Sequence, residues 1–260
     1  MLKHHFIALL FAAIPTCAMS TELNVVGTGD GIDMLSALAA DYNAAQDGVL
    51  VSIPPSVGSG GGIAAIGSGA EPLARIARPL KEQEAEKGIK AVPIAKLPAA
   101  IYANKGVGVA SISSEQLAGI FSGTIRNWKE VGGRDLQIKV VRREEADSTL
   151  TVLRGSMPKW KDLKLTERSK LAMTTQEAVD SVEAVEGAVG FGPYTTELGK
   201  RVAVLRIDEL NPNDPTYPSA IVLAAAYIGT PRKDAAAFLD YLGSAAAKRI
   251  MTDFGAVPLP

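Results

Sequence analysis

The chain has 260 residues, 47% hydrophobic, 21% charged and 5% aromatic, enough for one or two globular domains with a full core. Its formal net charge of −1 excludes the broad basic field that a nucleic-acid or anionic-membrane partner requires. An anion site in this protein must therefore be local.

The first twenty residues read as a secretory signal peptide. Lys3, His4 and His5 make a basic start, Phe6 to Ala13 is an apolar run, and Ala18-Met19-Ser20 is a small-x-small cleavage site. The run is too short to span a membrane, and no later stretch is long and apolar enough. Cleavage after Ser20 gives an exported, periplasmic protein. Lipid attachment at Cys17 is disfavoured by Pro15. Processing removes both histidines, the only cysteine and Lys3, leaving 26 basic residues (27 less one) against 28 acidic ones. The mature chain then lacks the means for a Ser-His-Asp or Cys-His site, a thiolate or imidazole metal centre, or a disulfide. No cofactor is called for.

Leu23 to Val26 reads as a first strand, followed by the turn Gly27-Thr-Gly-Asp-Gly31 and a helix from Ile32 to Tyr42. Val49 to Ile53 is a second strand. Ser56 to Gly62 is a second glycine-rich turn, from which Ile63 to Ile66 opens another helix. Neither turn is a nucleotide motif: no Gly-Lys-Ser/Thr triplet occurs, and position six of each candidate fingerprint is isoleucine, Ile32 or Ile63. They read as helix N-termini with exposed amides.

Leu73 to Ala77 is a strand ending at Arg78-Pro79, and Lys81 to Lys87 a charged helix closed by Gly88. Val92 to Ile94 and Ala99 to Ala103 are separate extended segments. Ser113-x-x-Gln116 is a capping box, and Trp128 lies in a loop where it is expected to pack. Thr174-x-x-Glu177 is a second box, whose helix stops at Gly187. Ala188 to Phe191, Val202 to Leu205 and Ala220 to Tyr227 are strands. Thr230-Pro231 starts a helix ended by Gly243, and Ser244 to Phe254 forms the last one.

The stretch Val140 to Leu153 carries the most chemistry. A β-branched run ends in Arg142 and Arg143, then Asp147-Ser148-Thr149 caps a helix bearing Leu150 and Leu153. Helix amides and a guanidinium so placed can close on an anion. Taken alone, the stretch reads more readily as an ordinary capped helix with a surface arginine pair; the rest of the chain changes that. Strands alternate with helices throughout, so the class is α/β with mostly parallel sheets. In such sheets ligands sit beyond the carboxyl ends of strands, where Gly29 to Ile32, Ser59 to Gly62 and Arg143 to Thr149 fall.

These marks together, with Ala77-Arg-Pro-Leu80, Leu117 to Trp128 and Glu186-Gly-Ala-Val-Gly-Phe191, resemble the periplasmic phosphate-binding proteins of ABC transporters, within the type II periplasmic-binding-protein fold. The resemblance spans nearly all of the mature chain. It implies two lobes, 21–100 plus 220–260 and 101–219, joined by crossings near Leu97 to Asn104 and Pro218 to Ala224, with one anion between them. It implies a monomer whose partners are inorganic phosphate and the membrane subunits of a transporter. Ser59, Arg143 and Thr149 match ligand positions, and Gly31, Ile32 and Gly60 contribute amides of helix starts. Arg78 adds charge beside Ala77, which stands where several members carry an acceptor aspartate.

Three departures follow from the resemblance. Gly31 replaces a threonine donor, Asp147 a serine donor and Ser148 a glycine. A carboxylate beside an anion is costly unless it accepts a proton from it, which protonated phosphate offers and sulfate near neutral pH does not. Asp147 is thus expected either to accept the P–OH hydrogen, to be neutralised by Arg143 or Arg78, or simply to cap its helix. Two other functions compete: a receptor or sensor for a different oxyanion or a phosphorylated small molecule, and a hydrolase built on carboxylates or on Ser156-Met-Pro-Lys159. The serine–lysine version has Pro158 inside the motif and lacks the accompanying Lys-Thr-Gly and Ser-Asp-Asn triplets.

Overall fold

The computed structural model describes residues 21–260 except Asp47 and Pro215; the expected signal peptide, its cleavage point and Cys17 lie outside the described residues. The first third runs β1 (Thr21–Gly27), α1 (Ile32–Ala45), β2 (Val49–Ser52), α2 (Gly58–Gly67), β3 (Leu73–Ile76), α3 (Glu82–Glu86) and β4 (Ile89–Ala103). Then come β5 (Ser111–Ile112), α4 (Ser114–Ser122), β6 (Lys139–Arg143), α5 (Ser148–Ser156), β7 (Ser169–Ala172), α6 (Thr175–Ala184) and β8 (Ala188–Pro193). The chain ends with α7 (Leu198–Arg201), β9 (Ala203–Ile207), β10 (Ala220–Ile228), α8 (Lys233–Leu242), α9 (Ala245–Asp253) and β11 (Val257–Pro258).

The main strand order is β2-β1-β3-β10-β4-β8-β6-β7. Its two ends are parallel, β2-β1-β3 on one side and β8-β6-β7 on the other. Antiparallel pairing is confined to partners of the long strands β4 and β10. The sheet is accordingly mixed, more so than the alternation of elements implies, because two long strands join the parallel blocks.

β4 corrects the expectation of two separate segments. Pro93 and Pro98 each lack the N–H that a central strand donates, and so interrupt the strand pattern. The structure accommodates both. Pro93 lies opposite Ala224 beside an irregularity in the β4–β10 register. At Pro98 the strand changes partner: the residues before it pair with β10, and Ala99 to Ala103 pair with β8 and β9. One strand thereby belongs to both halves of the sheet.

The second glycine-rich stretch is also more regular than expected. α2 begins at Gly58, so the glycines are its first turns and not a loop before it. Glycine disfavours helix by about 1 kcal/mol per residue. Packing overrides that here: Ile63 and Ile66 are buried against β1 and β3. A Cβ on Gly62 would come within 2.9 Å of the Cα of Gly27, so a side chain there would push α2 off the sheet.

The core of the second half gathers Phe121, Trp160 and Phe191, with ring centroids 5.0 to 5.8 Å apart. Trp128 packs as expected, fully buried, and its Nε1 donates to Gly187 O at 2.9 Å. The Ser113–Gln116 capping box is complete. The Thr174 box is only half made: Thr174 accepts from Glu177 N, but the Glu177 carboxylate takes the N–H of Met173. Among the described residues, no helix is long and apolar enough to cross a membrane.

Candidate functional site

Residues between Arg143 and Ser148 meet the second glycine-rich segment in a cleft of about 360 Å³. Thr28, Gly29, Ser59, Gly60 and Arg78 come from the first half of the sheet. Arg143, Glu144, Asp147, Ser148 and Thr174 come from the second. The hydroxyls of Ser59 and Ser148 are hydrogen-bonded at 2.8 Å, across 89 residues of sequence. Ser59 also accepts from Ala77 N at 3.1 Å. Two helix starts therefore face each other across the cleft. The first turn of a helix leaves N–H groups without intrahelical partners and carries the positive dipole end, so Gly60 on one side and Ser148 on the other present what a small anion requires.

Arg143 and Asp147 form a buried pair. Arg143 Nε and Nη2 donate to Asp147 Oδ2 at 3.0 and 2.8 Å, and Nη1 donates to Ala172 O at 3.0 Å. The other Asp147 oxygen accepts from Leu150 N at 2.9 Å, which makes Asp147 the N-cap of α5. Two of the alternatives for Asp147 thus hold at once: it caps its helix, and Arg143 neutralises it. Arg78 lines the same cleft, but its guanidinium forks onto Glu84, both bonds at 2.8 Å, and this pairing holds the Glu84 carboxyl below its usual range. Among the described cations lining the cleft, Lys81 is the one without an ion pair.

Three expected contributors sit elsewhere. Thr149 is buried and does not line the cleft. Gly31 and Ile32 face a separate cavity of about 70 Å³, beside Thr175 and Arg201. The glycine turn bends α1 away: Gly31, at φ 69°, is its N-cap, and Ile32 N is taken by Gly29 O. The additional helix start at the cleft is that of α6, through Met173 and Thr174. Its capping box was visible in the sequence, but nothing local placed it at a ligand site.

Asp30 is the functional candidate that sequence reasoning missed. It is 1% exposed, and its carboxylate accepts from Thr28 Oγ1 at 3.0 Å and from Thr175 Oγ1 of the second half at 2.9 Å. Gln176 adds a bond to Gly29 O at 3.2 Å. Burial, and next the charge of Asp147, push the Asp30 carboxyl up to about 6. A folded-state value above the unfolded one of ~3.9 means that the native protein holds this proton more tightly. Its contribution to stability is full below about pH 4 and is lost as pH rises through about 6. Two pH units correspond to roughly 3 kcal/mol. Thermal unfolding of wild type and Asp30→Asn across pH 4 to 8 should show wild type losing stability relative to the variant over pH 4–6, with no further relative change above. Parallel curves throughout would contradict this.

The serine–lysine pair does not assemble. Ser156 Oγ donates to Val152 O and is hydrogen-bonded with Ser219 Oγ, while Lys159 Nζ reaches Glu115 at 2.9 Å. Among the described residues, no cluster of His, Cys, Asp and Glu could hold a metal ion.

The chain is similar to several known proteins. The phosphate-binding protein PstS of Bacillus subtilis (strain 168) is 28% identical over 214 residues, covering 78% of this chain and 69% of that protein. A Vibrio cholerae structure described as an ABC-type phosphate transport receptor is 25% identical, with a TM-score of 0.67, covering 92% of this chain and all of that one. A Clostridium perfringens structure with bound phosphate, assigned as a phosphate ABC transporter substrate-binding protein, superposes with a TM-score of 0.82 at 23% identity, over 92% of this chain and all of that one, and supports the fold. A family model described as a PBP superfamily domain matches residues 16–246, and the chain belongs to that superfamily.

Proposed function

We propose that this protein captures inorganic phosphate outside the cytoplasm and delivers it to the membrane subunits of an ABC transporter. It is a binding protein and not an enzyme, in keeping with the names of its relatives. The observation that carries the reading is the cleft itself: Ser59 and Gly60 at one helix start, Ser148 at the opposing one, and Arg143 between strand and helix. Donors from both sides would surround a tetrahedral oxyanion, and closure would exclude water.

The lobes we propose are 21–100 plus 220–260 and 101–219. The hinge falls where β4 changes partner and where Ala99 N donates to Ser219 O at 2.9 Å. The protein works as a monomer.

The cleft's arginines are already paired, Arg143 with Asp147 and Arg78 with Glu84. A fully ionised guest therefore finds Lys81 as the one described cation of the cleft lining that is not already paired. A guest that brings a proton can give it to Asp147, whose oxygens keep lone pairs to spare beyond the bonds they accept. Asp147→Asn retains a good N-cap, so the variant should fold. Titration calorimetry with phosphate and sulfate at pH 7 should show the phosphate preference falling by at least tenfold, through gain of sulfate binding. Unchanged discrimination would remove Asp147 from the selection step. A different oxyanion would show in the same titrations as a tighter competitor of phosphate.

A further inference from the structure

β3 reads Leu-Ala-Arg-Ile and all four residues are buried. Arg75 is 0% exposed, and among the described residues it forms no ion pair with a carboxylate. A guanidinium in the centre of a sheet carries a large desolvation cost, and an apolar side chain of similar length would avoid it. Burial lowers its pKa to about 10, and it stays charged at neutral pH. Its donors go to three carbonyls instead: Nε to Thr28 O at 2.5 Å, Nη2 to Pro54 O at 2.7 Å, and Nη1 to Val25 O. Its own carbonyl accepts from Thr28 N at 3.1 Å. The Thr28 carbonyl belongs to the first glycine turn, which bears Gly29 and Asp30. The Pro54 carbonyl belongs to the lead into the second, which bears Ser56 and Ser59. The absence of a side chain on Gly27 leaves room for this: a Cβ there would lie 3.1 Å from Arg75 Cγ.

We propose that Arg75 is a positioning residue of the anion site: one buried guanidinium fixes both glycine-rich turns of the first half in register with each other, and its charge acts on the buried Asp30 of the first turn. A planar fork with donors in fixed directions can hold carbonyls from three segments, and a lysine ammonium cannot match that geometry. The charges that act on Asp30 are those of Arg75 from its own half and of Asp147 and Arg143 from the other. Of the two cations, Arg143 is committed to Asp147. Among the described residues Arg75 has no carboxylate ion-pair partner, and without its charge Asp30 holds its proton to higher pH.

The affinity part of the test rests on the phosphate reading, and the exchange part does not. Arg75→Lys keeps the charge and loses the fork; Arg75→Met loses both. Amide hydrogen exchange of the anion-free proteins should rise at least tenfold at Thr28 to Gly31 and at Ser56 to Gly60 in Arg75→Lys, while α8 and α9 stay protected. Phosphate affinity should fall about tenfold in Arg75→Lys and further in Arg75→Met. Carboxyl NMR should show Asp30 titrating at higher pH in Arg75→Met and near its wild-type midpoint in Arg75→Lys. A purely structural arginine predicts lower melting temperatures in both variants, with affinity of the folded protein and the Asp30 midpoint unchanged, and that result overturns the proposal. Should Arg75→Met fail to fold, wild-type exchange at both turns in Arg75→Lys overturns it as well. Should the wild type bind no phosphate, the functional reading fails and the exchange experiment still decides the role of Arg75.

Discussion

Arg143→Ala is expected to weaken phosphate binding by two to three orders of magnitude, about 3–4 kcal/mol, as read by titration calorimetry at neutral pH. The loss has two parts. The guanidinium that closes the cleft from the strand side disappears. In addition, Asp147, whose side chain is 5% exposed, keeps its bond from Leu150 N but loses its only ion pair. Removing one member of a buried pair leaves an uncompensated charge, the costlier way to break it. Here that charge repels the guest. Arg143→Lys should recover only part of the affinity, because one ammonium cannot reach Asp147 and Ala172 O in the same geometry. Combining Arg143→Ala with Asp147→Ser should restore stability more than affinity, since it removes the stranded carboxylate and leaves a capping hydroxyl. Binding by Arg143→Ala within about threefold of wild type would mean that the anion is held elsewhere.

Gly27→Ala should have the largest effect on folding. Gly27 ends β1 at φ 139°, where a side chain is strained, and its Cβ would lie 2.0 Å from Arg75 O. The obstructing atom is backbone of a strand paired to β1 itself, so relief requires β1 and β3 to separate or Arg75 to leave its carbonyls. Strain and overpacking at one position place the loss at about 4 kcal/mol or more, a large share of a domain's stability. The melting temperature should fall by roughly 10 °C or more, or the variant should fail to accumulate as folded protein. Gly58→Ala is the control. That glycine also has a positive φ, 71°, but its Cβ would meet nothing within 4 Å, so its loss should be the smaller. Equal melting temperatures for Gly27→Ala and wild type would disprove the close approach.

These two positions mark what could be read in advance and what could not. At Arg143 the local pattern was sufficient for the strand, the cap and the helix, but not for the burial of the arginine. A β-branched strand, an arginine at its end and a capping residue before a helix are near-neighbour features, and each has a direct backbone reason. The structure reproduces the cap at Asp147, the helix that follows and the pairing with Arg143. Ser59 and Ser148 were legible as helix-start residues for the same reason, although their hydrogen bond across 89 residues was not.

At Gly27 the sequence indicated a turn leading to exposed helix amides, but what the missing side chain makes room for is the carbonyl of Arg75 and not a ligand. Arg78 stood beside the expected anion in sequence, yet in space Glu84 claims it. Asp30 passed as an ordinary turn residue; what makes it unusual is burial between two halves and a hydroxyl from Thr175, 145 residues away. Arg75 sat unnoticed inside an apolar strand, because nothing near it in the chain names the three carbonyls that it serves.

By itself the sequence determined the order of most strands and helices, the caps, and the helix starts that could hold an anion, since hydrogen bonding within a few residues and side-chain periodicity settle those. Only the tertiary structure decided which helix starts share one cleft, which charges are already spent on partners inside the protein, and that β4 runs unbroken through two prolines into both halves of the sheet. Burial and ion pairing between distant segments depend on how the sheet is threaded, and no local pattern encodes that distance.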